Sequence, residues 1–317
     1  MYETTPPVII VGAGLAGLVA AQTLAAEGRR SLVLDKASRA GGRLATRRFG
    51  GATFDTGAQF FTVRDADFAL MVHEWRAVGL ARQWSRGFRE PFDGFPRYCI
   101  EGGMNNIAQF LAADLDVVND VTVESVEPGR VTTADGAVHE SDAIIVTVPV
   151  PQAVALLRDV DLPEGITSVA FAPCLAALLV LDRPSALRES GGLQLTPDDD
   201  PTFTFVADNA LKEVSAIAAL TLHANDAVSI ERLDADPAQT LAWLQLQAAP
   251  YIGDATPVAA QLKRWRYARP FVGHVDPCAV VSADPLVVLA GDGFGPAKVE
   301  GAALSGLAAA RLVLGRW

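Results

Sequence analysis

The β-branched run Val8-Ile-Ile-Val11, followed at once by Gly12-Ala-Gly14-Leu-Ala-Gly17, constrains this chain more than any other stretch. It reads as a strand, a tight turn and a helix. The first glycine makes the turn, the second lets backbone approach a pyrophosphate, and the third lets helix and strand pack closely. Backbone N–H groups at the helix start then face phosphate oxygens. The run Ser31-Leu-Val-Leu-Asp35 predicts a second strand ending in a carboxylate, at the distance where a ribose hydroxyl is bound. Asp35 is therefore the ribose acceptor expected here.

Two further blocks extend this grip. Arg39-Ala-Gly41-Gly42-Arg43 places two glycines beside guanidinium groups. The glycines let the chain pass close to a pyrophosphate, and a planar, always-charged guanidinium can pair with its oxygens. Arg43 is the stronger candidate for that contact. Near the other end, Pro285-Leu-Val-Val-Leu-Ala290 predicts a buried parallel strand closed by Gly291-Asp292, with an Ala/Leu-rich helix over Val299–Leu314. Glu300 falls in that helix's first turn, where the helix dipole alone would favour an acid.

The block Arg-x-Gly-Gly-Arg and the C-terminal Gly-Asp segment resemble those of flavin-dependent amine oxidases, and the chain is similar nearly end to end to the renalase branch of that superfamily. Phe54-Asp-Thr-Gly57-Ala-Gln59-Phe60-Phe61 resembles the family's second cofactor loop, beside the isoalloxazine. Tyr98–Met104, Ala143–Pro151, Asp208–Lys212, Leu222–Asn225 and Trp265–Pro270 resemble later family blocks. The resemblance implies an α/β fold: a Rossmann-type FAD-binding domain with an interleaved α+β substrate domain. It also implies non-covalent FAD, since no cysteine stands at the family's attachment spacing before Gly291. The implied cofactor residues are Gly12, Gly14, Leu15, Ala16, Gly17, Asp35, Lys36, Gly42, Arg43, Gly57, Ala58, Gln59, Phe60, Val123, Gly291, Asp292, Glu300, Gly301 and Ala302. Departures lie in the substrate half: Lys212-Glu-Val-Ser215 stands where relatives carry Lys-Pro-x-Arg, and Val228-Ser229 where they carry Trp-Ser.

The organisation reads as interleaved. FAD-type segments are expected over 1–66, 97–155 and 275–317, and a substrate domain over 67–96 and 156–274. Within the latter, a helix is predicted over Phe68–Val78, and strands over Cys174–Leu181 and Ala216–Leu222. A further helix is capped by Asp236, with Pro237 at its first position and an apolar stripe through Leu241, Leu244 and Ala248.

A net charge of −11 argues against non-specific binding to nucleic acid or anionic membranes, so basic residues should gather where anions bind. The three cysteines have no metal-ligand spacing, and their odd count argues against a disulfide framework, which fits a reducing cytoplasm. Met1 leads through two prolines directly into the nucleotide strand, leaving no room for a signal peptide. No apolar run reaches the ~18 residues of a membrane span.

In such a protein the cofactor carries the electrons, while side chains orient the donor and set the electrostatics. A Ser-His-Asp reading fails for want of a Gly-x-Ser-x-Gly elbow, and the four histidines are too scattered for a metal site. His73 is expected on a surface helix and His139 in a polar turn. The candidate catalytic residues are Gln59, His223, Trp265 and Tyr267, with Gln59 the expected polar contact at the flavin's reactive edge. Three function classes stay open. In the first, a misreduced 2- or 6-dihydroNAD(P) gives hydride to flavin N5 and O2 is the acceptor. In the second, the donor is an amine or related small molecule; such oxidases commonly carry a lysine holding water near N5, a criterion poorly met by the scarce lysines here. In the third, the chain is a non-enzymatic binding protein.

Overall fold

A computed structural model describes residues 6–88 and 94–316. The chain opens with β1 (Val8–Val11), α1 (Leu15–Ala26) and β2 (Ser31–Leu34). A short 3-10 turn at Gly42–Leu44 leads into the hairpin β3 (Thr46–Phe49) and β4 (Ala52–Asp55), joined by Gly50 and Gly51, both at positive φ, as a tight two-residue hairpin requires. Next come α2 (Ala66–Ala77), β5 (Ala81–Ser85), β6 (Arg97–Ile100), α3 (Asn105–Ala112) and β7 (Val117–Val118). The meander β8 (Val123–Glu127), β9 (Arg130–Thr133) and β10 (Val138–Glu140) precedes β11 (Ala143–Val146) and α4 (Val150–Leu156). Then follow β12 (Ala170–Leu181), β13 (Gly192–Gln194), β14 (Phe203–Asp208), β15 (Ala219–Ala224), α5 (Asp226–Arg232), α6 (Pro237–Gln247) and α7 (Ala249–Ile252). The last elements are β16 (Pro257–Val272), β17 (Ala279–Ala283), β18 (Leu286–Leu289) and α8 (Lys298–Leu314).

These elements form two compact units. The first comprises residues 1–42, 107–171 and 269–317. Its sheet runs β17-β18-β11-β1-β2-β7, parallel except for the antiparallel edge strand β17. β1, β11 and β18 are buried at every residue, which is why they read as continuous apolar runs rather than alternating ones. Helices α1 and α8 touch at their backbones, since a Cβ on Gly306 would stand 2.1 Å from the carbonyl oxygen of Ala16.

The second unit comprises residues 43–106 and 172–268. Its five-stranded sheet, β13-β14-β15-β12-β16, covers a core of Leu175, Leu179, Phe203, Leu220 and Leu222 closed by Leu244 and Ala248 of the α6 region. Asp236 caps α6 by accepting from the Gln239 N–H, and Pro237 occupies its first turn, as the sequence predicts.

The unit boundaries depart from the expected domains. Residues 43–66 and 97–106 belong with the second unit rather than with the nucleotide-type segments. The reason is packing: Ala52 and Phe54 of β4 share a buried cluster with Ala176, Leu178 and Val180 of β12 and Ala219 of β15. Burial of that apolar face outweighs chain proximity to β2. His139 also differs from expectation, lying in β10 opposite Val131 rather than in a turn. The expected segments 1–66 and 67–96 each fall partly, at residues 1–5 and 89–93, outside the described residues.

Candidate functional site

In the first unit the glycine turn is built as its spacing demands. Gly12 has a φ of +108°, and its N–H donates to the Leu34 carbonyl over 2.8 Å. A Cβ on Gly17 would stand 2.0 Å from the Gly12 carbonyl oxygen, so the third glycine is required for helix and strand to approach. Gly14 differs from both. A Cβ there would meet no heavy atom within 4 Å, and Gly14 is the N-cap of α1 with no side-chain cap. The helix start is thus an open cradle with its first N–H groups unclaimed by a capping side chain. Leu15 and Ala16 are buried.

Asp35 closes this turn. Its Oδ2 accepts from the Ala13 N–H at 2.6 Å and its Oδ1 from the Ala37 N–H at 2.7 Å. The carboxylate therefore shapes the cradle through both oxygens, and each keeps lone-pair capacity for a hydroxyl donor. The Gly41 N–H donates to the Ala13 carbonyl, and a Cβ on Gly42 would stand 3.7 Å from the Gly14 Cα, so the second glycine pair crosses the first. Lys36 is exposed beyond it. Thr147, which sequence reasoning missed, donates its hydroxyl toward the Val11 and Gly12 carbonyls at 3.1 and 2.9 Å. Its position directly after the β-branched run of β11 is the only signal that could have marked it.

At the C-terminal block, Gly291 has a φ of +129° and its N–H donates to the buried Ser305 hydroxyl at 2.8 Å. Asp292 is buried beside it, and Glu300 and Ala302 lie in the first turns of α8. Gly301 has a packing role: a Cβ there would stand 1.3 Å from the Pro296 carbonyl oxygen. Val123 lies in β8 and packs on the buried cluster around Val126 and Val131.

The second unit holds a buried polar network that the sequence reading left largely unassigned. Lys212 and Asp55 are both fully buried, with Lys212 Nζ 2.8 Å from Asp55 Oδ2. The ammonium also donates to Gln59 Oε1 at 3.3 Å and lies 4.9 Å above the Trp84 ring. Asp55 Oδ1 accepts from the Thr46 hydroxyl and the Met104 N–H, both at 2.7 Å, so the same carboxylate anchors the glycine turn before α3. A lysine is almost never fully buried unless paired. Its place after Asp208-Asn209 was the available signal, but the paired carboxylate is 157 residues away in sequence.

Gln59, the expected polar contact at the reactive edge, is buried and bonded within its own turn. Its Nε2 donates to the carbonyls of Asp55 and Gly57, at 2.7 and 3.2 Å, and its Oε1 faces Lys212. The amide thus ties the turn's own backbone, sharing the Asp55 carbonyl with the Thr221 hydroxyl, which donates to it at 3.1 Å. Gly57 is likewise needed for packing, since a Cβ would stand 2.1 Å from the Arg43 carbonyl oxygen, which also accepts from the Ala58 N–H. Arg43 itself reaches the Ala268 carbonyl at 3.4 Å. Phe60 stands in a ring cluster with Trp84, Phe88 and Phe205.

His223 and Trp265 converge on one acceptor. Trp265 Nε1 donates to the Thr56 carbonyl at 2.8 Å and His223 Nε2 to the same oxygen at 3.3 Å. A carbonyl can only accept, so this contact sets the histidine tautomer with its proton on Nε2. Burial pushes His223 down to about 4; the Thr56 contact opposes this and the Lys212 cation adds to it. At neutral pH the imidazole is uncharged. Tyr267 follows two residues along β16 and shares the strand face of Trp265.

The open cradle at Gly14, beside a carboxylate and a second glycine pair, fits a dinucleotide, and the family comparison identifies it. A model for NAD(P)-binding Rossmann-like domains matches residues 10–74, and the model described as flavin containing amine oxidoreductase matches residues 80–314, most of the chain. The chain belongs to the flavin-containing amine oxidoreductase family. FAD is the cofactor of this flavoprotein. Among relatives of this family, putrescine oxidase of Kocuria rosea is 40% identical over 67 residues, 21% of this chain and 14% of that protein. Lysine-specific histone demethylase 1 homolog 2 of Arabidopsis thaliana is 41% identical over 103 residues, 31% of this chain and 13% of that protein. The matches thus span a small fraction of these relatives' length. The solved structure of wild-type putrescine oxidase bound to putrescine shares the fold, with a TM-score of 0.72 over 99% of this chain and 100% of that one at 16% identity. An oxidoreductase from Methanosarcina mazei does so with a TM-score of 0.65 over 95% and 99% at 15% identity. Among the described residues, no helix is long and apolar enough to cross a membrane.

Proposed function

We propose that this flavoprotein is an FAD-dependent oxidase of the renalase type, taking hydride from 2- or 6-dihydroNAD(P) with O2 as acceptor. The net reaction is dihydroNAD(P) + H+ + O2 giving NAD(P)+ and H2O2. FAD, when bound, supplies the two-electron acceptor that links the donor to oxygen. The helix start at Gly14–Ala16 would hold its pyrophosphate, assisted by Gly42 and Arg43, and Asp35 its ribose. Gly291, Asp292 and the first turn of α8 would serve its other end. The positive end of α8 there favours negative charge.

The observation that carries this reading is the closed pair of Lys212 and Asp55. Lys212 has its ammonium sealed among protein acceptors, so it does not match the water-holding lysine of amine oxidases. Asp55 has its charge met by Lys212 and its remaining oxygen by Thr46 and Met104, so it offers no anchor for a substrate ammonium. A hydride donor needs neither. His223 and Trp265 act as positioning residues: they fix the Thr56 carbonyl, and with it the turn through Phe60 that the family resemblance sets beside the isoalloxazine.

The second reading, an amine or related small-molecule oxidase, draws on the likeness to putrescine oxidase. Anaerobic stopped-flow absorbance separates the two. The purified yellow protein is mixed with 2- or 6-dihydroNAD(P), with ordinary NAD(P)H and with a panel of amines. Bleaching of the oxidised flavin band by the isomeric dinucleotides is the expected result. Bleaching by an amine alone would replace it with the second reading.

A further inference from the structure

Strand β16 carries a cationic face that the cradle does not use. Strand alternation puts Lys263, Trp265 and Tyr267 on one side, while Arg264 and Arg266 turn to the other, where they reach the Leu233 carbonyl and Asp234. The odd-numbered side is the one from which Trp265 bonds the Thr56 carbonyl. Lys263 Nζ lies 4.2 Å from the centre of the Trp265 ring. The end of β3 abuts the same strand, with Gly50 against the Ala259 Cβ, and this brings Arg47 into the field of Lys263.

Neither Arg47 nor Lys263 has a carboxylate partner among the described residues. In a chain of net charge −11, acidic partners are plentiful, yet neither of these two cations has one. The Lys263 ammonium is held below its ordinary range, first by burial and then by Arg47. Such a pair is relieved by a bound anion, and guanidinium and ammonium beside an aromatic wall suit a phosphate attached to a nucleoside.

We propose that Arg47 and Lys263, beside Trp265, bind a phosphate group of the dinucleotide substrate. This rests on the hydride-donor reading above. The test uses FAD-loaded protein and isothermal titration with 2′,5′-ADP and with ADP, fragments that lack the nicotinamide. The double variant R47Q/K263Q should weaken fragment binding about tenfold or more with FAD content unchanged, and K263R should retain it. Preference for 2′,5′-ADP assigns the site to a 2′-phosphate; preference for ADP, or equal binding, assigns it to the diphosphate. Absence of binding to the wild-type protein, or equal affinity in the double variant, overturns the proposal. So does loss of FAD from the double variant, because the cations would then belong to the cofactor. Flavin bleaching is followed in parallel. Fragment binding without bleaching by dihydroNAD(P) leaves the site standing and removes the hydride-donor reading. Bleaching with an unchanged KM in R47Q/K263Q does the reverse.

Discussion

Lys212 Nζ and Asp55 Oδ2 lie 2.8 Å apart with both side chains fully buried, and the two residues come from segments 157 positions apart. Because Asp55 also binds the Thr46 hydroxyl and the Met104 N–H, this pair ties hairpin, helix start and sheet of the second unit together. Removing one partner leaves the other charged and buried. Lys212→Met or Asp55→Asn alone should therefore cost about 3–5 kcal/mol. The double variant should cost less than the sum, which urea unfolding of the four proteins measures. Additive losses would mean that the two side chains act independently.

His223 makes stability depend on pH in a defined window. Its folded value is lowered to about 4, while the unfolded chain takes up its proton near the ordinary 6.5. Above pH 6.5 both states are neutral and the contribution is complete. As pH falls from 6.5 toward 4 the unfolded state binds the proton preferentially, so stability declines by about 3 kcal/mol in all. His223→Gln, which can still donate to Thr56, should flatten that part of the pH profile. An unaltered profile would place the titration elsewhere.

The motif glycines separate by what surrounds them. Gly17→Ala would drive a methyl into the Gly12 carbonyl and should lower the melting temperature of the FAD-free protein, at a cost of about 1–3 kcal/mol. Gly14→Ala meets no protein atom, so the FAD-free protein should melt as wild type while FAD affinity falls about tenfold or more. Fluorescence titration with FAD, beside thermal melts of both variants, checks the contrast. Equal FAD affinity in Gly14→Ala would show that the open face of the turn is not the cofactor's seat.

The nucleotide half of the molecule was legible because its chemistry is local. Strand, glycine turn and acid fall within Val8–Asp35, and the register of β1 with β2 follows directly from that short crossover. The substrate half was less so. Lys212 and Asp55, or His223 and Thr56, meet only because β4 packs across β12 and β15, and no local period announces such a contact. Gln59 stands out locally as a polar side chain beside glycines, whereas its bonds to the Asp55 and Gly57 carbonyls and its approach to Lys212 are set by the fold and carry no local signal.

These contacts give Gln59 a test of its own. Gln59→Leu keeps the side-chain bulk but takes one donor from each of the Asp55 and Gly57 carbonyls, leaving Asp55 the Thr221 hydroxyl, and removes one acceptor from Lys212. Hydrogen bonds of this kind contribute about 0.5–1.5 kcal/mol each, so the melting temperature should fall. If the turn through Phe60 also sets the flavin's surroundings, the anaerobic bleaching rate should drop about tenfold at saturating donor, while FAD content stays the same. A positioning role predicts loss in kcat with little change in KM, because the side chain touches backbone rather than substrate. A selective rise in KM would instead return Gln59 to the substrate's side of the site, and a lower melting temperature with wild-type kinetics would confine it to holding the fold.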